Sequence, residues 1–176
     1  LLHRRAFLQL GITGLGASMV SPLHVEAQAP PFTFKYILSS AMYGTFAVAD
    51  ILPEVKKVGA THIDLWPAPH GNQREQVKEM GDRHFKELLV THQVKLGLSS
   101  CYKLGPFGLQ EEMRWAQNIT GEGITLVCGG RGKKDLEGTA LKAEVKSFVE
   151  KMKPHVAVAE ETGCIITIEN HKSNLI

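Results

Sequence analysis

The stretch "KKVGATHIDLW", residues 56–66, contains the change from helix to strand that decides the fold. Ile51, Val55 and Val58 recur at helical spacing up to this point, and a β-branched, apolar run follows it. Gly59 stands between the two patterns, where the end of a helix favours a residue in the left-handed conformation. The pattern therefore predicts that a helix ends here and that a buried strand begins.

The same transition recurs along the chain. Strand patterns fall at "FKYILSS", "THIDLW", "VKLGLSS", "ITLVCGG" and "CIITIEN", residues 34–40, 61–66, 94–100, 124–130 and 164–170. Helical patterns fall at 50–60, 74–81, 82–93, 109–119 and 140–152. Asp50 is the predicted N-cap of the first helix, and Pro154 predicts a kink or a restart after the last. Strands that alternate with helices in this way predict a parallel α/β sheet.

Two architectures satisfy this alternation, an open doubly wound sheet and a closed (β/α)8 barrel. A barrel uses roughly 30 residues for each βα unit, and the five units after residue 29 keep that spacing. A dinucleotide-binding sheet would carry G-x-G-x-x-G after its first strand, where "SSAMYG" stands instead. We therefore expect residues 30–176 to be the N-terminal part of a (β/α)8 barrel, truncated after about five βα units.

Composition and charge exclude several classes of function. The 176 residues are 43% hydrophobic and 22% charged, as in ordinary globular domains, and the formal net charge is only +2. So small a charge argues against a nucleic-acid partner or an anionic membrane surface. The three cysteines, Cys101, Cys128 and Cys164, form no CxxC pair and are expected to be small buried side chains.

The first 29 residues have the pattern of a secretory signal. Arg4 and Arg5 precede a short, glycine-rich apolar run, and Ala27 and Ala29 form an A-x-A cleavage pattern. The paired arginines give the segment a resemblance to twin-arginine (Tat) signals. The run is too short to span a bilayer as a stable helix. We therefore expect an exported, periplasmic protein with no stable membrane insertion after export.

Polar side chains collect where the predicted strands end, which is where α/β folds place their function. Asp64 and Trp66 share one face of the second strand, and Gly97 and Ser99 are expected to share the interior face of the third. In the fifth strand, alternation brings Glu169 to the rim on the more polar face. A carboxylate at the end of a buried strand must be paired, protonated or bound to a metal.

Two of these stretches resemble a known family. "THIDLWPAPHGNQREQ", residues 61–76, and "GCIITIENH", residues 163–171, are similar to the xylose isomerase-like TIM-barrel superfamily, and more narrowly to its sugar phosphate isomerase/epimerase group. The resemblance implies that Glu169 is a metal ligand and an acid/base, and that Trp66 walls the substrate pocket. It also implies that His70 lies in the site.

His171 follows Glu169 by two residues. It is predicted either to bind substrate or to be a loop histidine satisfied by backbone groups. The resemblance further implies a divalent metal, Mn²⁺, Mg²⁺, Co²⁺ or Zn²⁺. Its remaining ligands would come from strands six to eight, beyond this chain.

The expected activity is therefore metal-dependent interconversion of an aldose and a ketose, or C3 epimerisation, through an enediolate or a hydride shift. The expected partner is a small sugar or sugar phosphate, with no nucleic acid. This part of a barrel is expected to be inactive alone and able to oligomerise through its open edge strands. The alternatives are a non-catalytic sugar-binding or lyase-like barrel and, less favoured by charge and export, a phosphodiesterase similar to endonuclease IV.

Overall fold

A computed structural model describes residues 32–130, 132–133 and 135–169. The predicted signal segment, residues 1–29, and His171 lie outside this described part. Every element described below belongs to the unit that begins at Phe34.

Five parallel strands form one sheet, and all five predicted strands are confirmed. They are β1 Ile37–Ser39, β2 His62–Leu65, β3 Lys95–Ser100, β4 Thr125–Gly129 and β5 Ile165–Glu169. Their order in the sheet is their order in the chain, β1-β2-β3-β4-β5. Each strand therefore pairs in parallel with its neighbour in sequence, and β1 and β5 are the two edges.

Among the described residues, five α-helices and one short 3₁₀ helix accompany the strands. The 3₁₀ helix is Ser40–Tyr43, and the α-helices are α1 Val48–Lys57, α2 Gln73–Met80, α3 Asp82–His92, α4 Gln110–Thr120 and α5 Gly138–Thr162. Within the described part of the chain, no helix is both long and apolar enough to cross a bilayer.

Two helix predictions need correction. Helix α1 begins before the predicted cap, because Ala47 is its N-cap and Asp50 lies inside the first turn. Helix α5 continues through Pro154 to Thr162, so it does not restart there. Proline removes one backbone hydrogen bond, but Met152, His155 and Val158 on either side of it are buried. The packing of these three side chains keeps the helix continuous.

The sequential strand order argues against a doubly wound sheet. A doubly wound sheet reverses its strand order at a switch point, whereas this sheet steps in one direction throughout. Because parallel crossovers are almost always right-handed, steps in one direction place the connecting helices on one face. The fold is α/β with an all-parallel sheet, and it is compatible with part of an α/β barrel.

The apolar core lies between the sheet and these helices. Its largest fully buried side chains include Ile51 and Leu52 of α1, Ile63 and Leu65 of β2, and Phe85 of α3. The three cysteines are buried, as predicted. The burial of Ile63 and Leu65 leaves Asp64 on the opposite face of β2.

An irregularity in β3 overturns one prediction about its side chains. Ile63 pairs with Leu96 but Asp64 pairs with Leu98, so Gly97 is an extra residue in the ladder. The bulge reverses the alternation after Gly97, and the Ser99 hydroxyl donates to Glu112 of α4 at 2.8 Å. Ser99 therefore faces the helices and does not share the face of Asp64, contrary to the prediction.

Gly97→Ala should lower the free energy of unfolding by about 1–3 kcal/mol, the usual effect of overpacking. A Cβ at this position would lie 2.8 Å from the Cβ of His62, closer than two such atoms approach. Urea denaturation followed by circular dichroism would measure the change. An unaltered midpoint and slope would show that the bulge has room for a side chain.

Candidate functional site

A cavity of about 880 Å³ opens at the carboxyl ends of β2, β3 and β5. Trp66, His70 and Tyr102 give it an aromatic wall, and Lys103 and Glu169 supply its charged groups. The short segment 67–69, Pro-Ala-Pro, forms the remaining side. Three chain segments that are distant in sequence therefore meet at one edge of the sheet.

Trp66 is held on both its backbone and its ring. Its backbone N–H donates to the Ser40 hydroxyl at 2.9 Å, and its indole N–H donates to Asp64 Oδ2 at 2.5 Å. The ring lies 5.5 Å from that of Tyr102, centroid to centroid, and 5.6 Å from that of His70 in an edge-on contact. Such offset and edge-on arrangements are the preferred aromatic contacts.

Asp64 is a buried carboxyl group directly beneath this wall. Only 8% of the residue is exposed, and the Ser100 hydroxyl donates to its Oδ1 at 3.1 Å. Burial raises the pKa of the Asp64 carboxyl to about 6, against the opposing effect of hydrogen bonds from Trp66, Ser100 and Ser39. The carboxyl group is still mostly ionised at pH 7, where it is a strong acceptor for the indole N–H.

Glu169 reaches the cavity from the end of β5, on the face that the sequence predicts. Its Oε2 accepts a short hydrogen bond from the phenol of Tyr102. Burial, together with the hydrogen bond and charge of Glu169, raises the pKa of Tyr102 to about 12. The phenol therefore stays protonated at physiological pH and orients the carboxylate as a permanent donor.

The loop that carries Trp66 and His70 is fixed by the start of α2. Gln73 is fully buried, and its amide donates to the carbonyls of Gly44 at 2.8 Å and Phe46 at 2.9 Å. The backbone N–H of Arg74 donates to the carbonyl of Trp66 at 3.2 Å. These bonds join the loop after β1 to the loop after β2, so the aromatic wall stands on an ordered base.

A second cavity, of about 530 Å³, lies on the helix side of the same loops. Arg74 and Glu112 form a two-bond ion pair there, with N–O distances of 2.8 and 2.9 Å. The guanidinium carbon of Arg74 also lies 3.6 Å from the centroid of the Trp115 ring. Glu112 accepts a further hydrogen bond from the Ser99 hydroxyl. This cluster ties α2 to α4 and β3.

The structure brings together three of the four predicted site residues. Glu169, Trp66 and His70 line one cavity, whereas His171 lies outside the described residues. Tyr102 and the Asp64–Ser100 pair were not predicted to belong to the site. Placing Ser100 required the bulge at Gly97, and an isolated glycine inside a strand is the signal that could have indicated it.

A metal ion fits this site only in part. Glu169 offers the hard oxygen ligand that divalent ions prefer. Among residues 32–130, 132–133 and 135–169, no three His, Cys, Asp or Glu side chains are grouped to hold an ion. The described residues therefore supply one ligand and do not complete a metal site.

Comparison with known proteins adds no family assignment. A scan against protein-family models and a search of curated proteins found no match to this chain. The resemblance to the xylose isomerase-like superfamily thus rests on the two sequence motifs that carry it.

Asp64→Asn should change the pH dependence of stability in a defined direction. The folded-state pKa is raised from 3.8 to about 6, so the folded protein binds the proton more tightly than the unfolded chain. The stability of the unsubstituted chain relative to Asp64→Asn should therefore fall between about pH 4 and pH 7, by up to roughly 3 kcal/mol. Urea midpoints of both chains across this range measure it. A constant difference, or one that rises with pH, would contradict the assigned burial.

Glu112→Gln should lower the free energy of unfolding by about 3 kcal/mol, because it leaves the partly buried guanidinium of Arg74 without its counter-charge. Glu111→Gln is the matched control, since Glu111 is the exposed neighbour on the same helix and should change stability by less than about 0.5 kcal/mol. Chemical denaturation of both variants compares them. Equal effects would show that the ion pair does not tie α2 to α4.

Proposed function

We propose that this chain belongs to a divalent-metal-dependent sugar isomerase or epimerase, built on a TIM barrel of the xylose isomerase-like superfamily. The observation that carries the proposal is the convergence of Glu169, Trp66 and His70 on one cavity at the carboxyl ends of parallel strands. That edge is where α/β barrels place their active sites. The one-directional strand order supports a barrel over a doubly wound sheet.

The aromatic wall suits a sugar. Trp66 and Tyr102 lie 5.5 Å apart with their planes tilted by 33°, so they present one continuous apolar surface with polar groups at its margins. A sugar ring has an apolar C–H face and polar edges, and it can stack on such a surface. His70, edge-on to Trp66, closes the wall and brings imidazole nitrogen atoms to its margin.

Glu169 is the proposed acid/base of the reaction. Its carboxylate would take the proton from the carbon next to the sugar carbonyl, which leaves an enediolate. In isomerisation it would return that proton to the former carbonyl carbon, while the hydroxyl proton passes to the former carbonyl oxygen. In C3 epimerisation Glu169 would be one acid/base of a pair, and the second would deliver a proton to the same carbon from the opposite face. Tyr102 keeps the carboxylate in one orientation by its hydrogen bond to Oε2.

A divalent ion, when bound beside Glu169, would polarise the sugar carbonyl and its adjacent hydroxyl and so acidify the C–H bond between them. Glu169 is the described residue that would hold it, and further ligands would have to lie outside the described residues. A periplasmic location and a sugar or sugar phosphate as partner belong to the same proposal.

The decisive experiment incubates the protein, expressed from its complete reading frame, with fructose and Mn²⁺ in D₂O and follows the sugar by NMR. New aldose or epimer should form, and EDTA should abolish it. Deuterium in the product would indicate proton transfer through solvent, and its absence a hydride shift. Glu169→Gln should reduce turnover by at least about 10²-fold.

Glu160→Gln, an exposed substitution on α5, is the matched control and should retain activity. Full metal-dependent turnover in Glu169→Gln would overturn the role of Glu169. Binding of sugars without turnover at any of the four metals would favour the sugar-binding alternative.

A further inference from the structure

The orientation of the Trp66 ring depends on few contacts. His70, which meets it edge-on, is exposed, and Tyr102 is only half-buried. The one hydrogen bond that the indole makes runs downward to Asp64 Oδ2. An indole has a single polar atom, so the residue that accepts its proton selects one rotation of the ring over the others.

Asp64 is itself held in a single orientation. Its Oδ2 accepts a hydrogen bond from the indole of Trp66. The Ser100 hydroxyl donates to it from 3.1 Å to Oδ1 and 3.3 Å to Oδ2, and Ser39 adds a further hydrogen bond. Ser100 belongs to β3 and Asp64 to β2, which are neighbouring strands. The acceptor for the indole is therefore anchored to the sheet and not to a loop.

The carboxyl group of Asp64 contacts the aromatic wall but does not line the cavity. It is not among the described residues that line the cavity, and it is 8% exposed. Burial of a carboxylate opposes folding unless its partners compensate, so this position is not explained by core stability alone. Its contact with the underside of Trp66 gives the group a role in the site.

We infer that Asp64 is a positioning residue that sets the plane of the Trp66 indole, and through it the face on which a sugar stacks opposite Glu169. The sugar in this inference rests on the proposed function. The orientation of the indole by its hydrogen bond to Asp64 does not depend on that function. The hydrogen bond from Ser100 keeps the Asp64 carboxylate in the orientation that accepts the indole N–H.

The chain offers a matched pair for the test, because it contains two tryptophans and both indoles donate to an aspartate. Trp115 donates to Asp82 Oδ1 at 2.9 Å, on the helix side of the sheet. Trp115→Phe leaves Trp66 as the single tryptophan, and Trp66→Phe leaves Trp115. Asp64 and Asp82 can then each be replaced in both single-tryptophan chains, and the fluorescence of the remaining tryptophan can be compared.

In the Trp115→Phe background, Asp64→Leu should shift the emission of Trp66 to longer wavelength and increase acrylamide quenching by at least about twofold, because the indole loses its buried acceptor. Asp64→Asn, which keeps an acceptor oxygen, should restore both signals. Asp82→Leu should leave Trp66 unchanged and alter only Trp115. An unchanged Trp66 signal in a folded Asp64→Leu chain would overturn the inference.

A measurement without substitution at Asp64 covers the case in which Asp64→Leu fails to fold. In ¹⁵N-tryptophan-labelled protein, hydrogen exchange of the Trp66 indole N–H should be slowed by at least about tenfold relative to free indole. Exchange at the rate of free indole would contradict the bond to Asp64.

Titration with fructose then separates this inference from the proposed function. Fructose should quench Trp66 in the Trp115→Phe chain, and Asp64→Leu should raise its Kd at least about tenfold, with Asp64→Asn close to the parent. If Asp64→Leu alters the emission and quenching of Trp66 but no chain responds to fructose, Asp64 orients the indole and the proposal of a sugar ligand is rejected. A fructose response that is equal in all three chains would reject the positioning role.

Discussion

A parallel sheet directs the carboxyl ends of all its strands to one edge, and each feature of the candidate site depends on that constraint. Residues more than a hundred positions apart, such as Trp66 and Glu169, become neighbours only because β2, β3, β4 and β5 run the same way in sequential order. The backbone thus brings the aromatic wall and the carboxylate together, and the side chains then determine how they face each other.

Three carboxylates lie near this edge. Each has different hydrogen-bond partners, and each is assigned a different role. Glu112, on the helix side, is neutralised by Arg74 and joins helices to the sheet. Asp64, beneath Trp66, accepts hydrogen bonds from neutral donors and fixes the wall. Glu169 alone of the three lines the larger cavity, with Tyr102 as a protonated donor beside it. Acid/base work suits the group that can meet a ligand.

The five strands follow from local patterns in the sequence, whereas Trp66, His70 and Glu169 were assigned to one site through the resemblance of two motifs. Gly59 marks the end of α1 correctly, because it adopts a positive φ that other residues avoid. The faces of β3 do not follow from simple alternation, since the bulge at Gly97 depends on pairing with β2. The Arg74–Glu112 pair was also missed. Glu112 lies three residues after Leu109 and four before Ala116, so it shares their buried side of α4.

The proposed function places a metal-dependent sugar site around Glu169, at the carboxyl ends of these strands. Anomalous diffraction from crystals of the protein, expressed from its complete reading frame and grown with Mn²⁺, shows where the ion binds. A manganese peak is expected about 2.0–2.3 Å from a carboxylate oxygen of Glu169, in the cavity walled by Trp66 and Tyr102. A peak at another place, with Glu169 still bonded to Tyr102, would rule out this metal site.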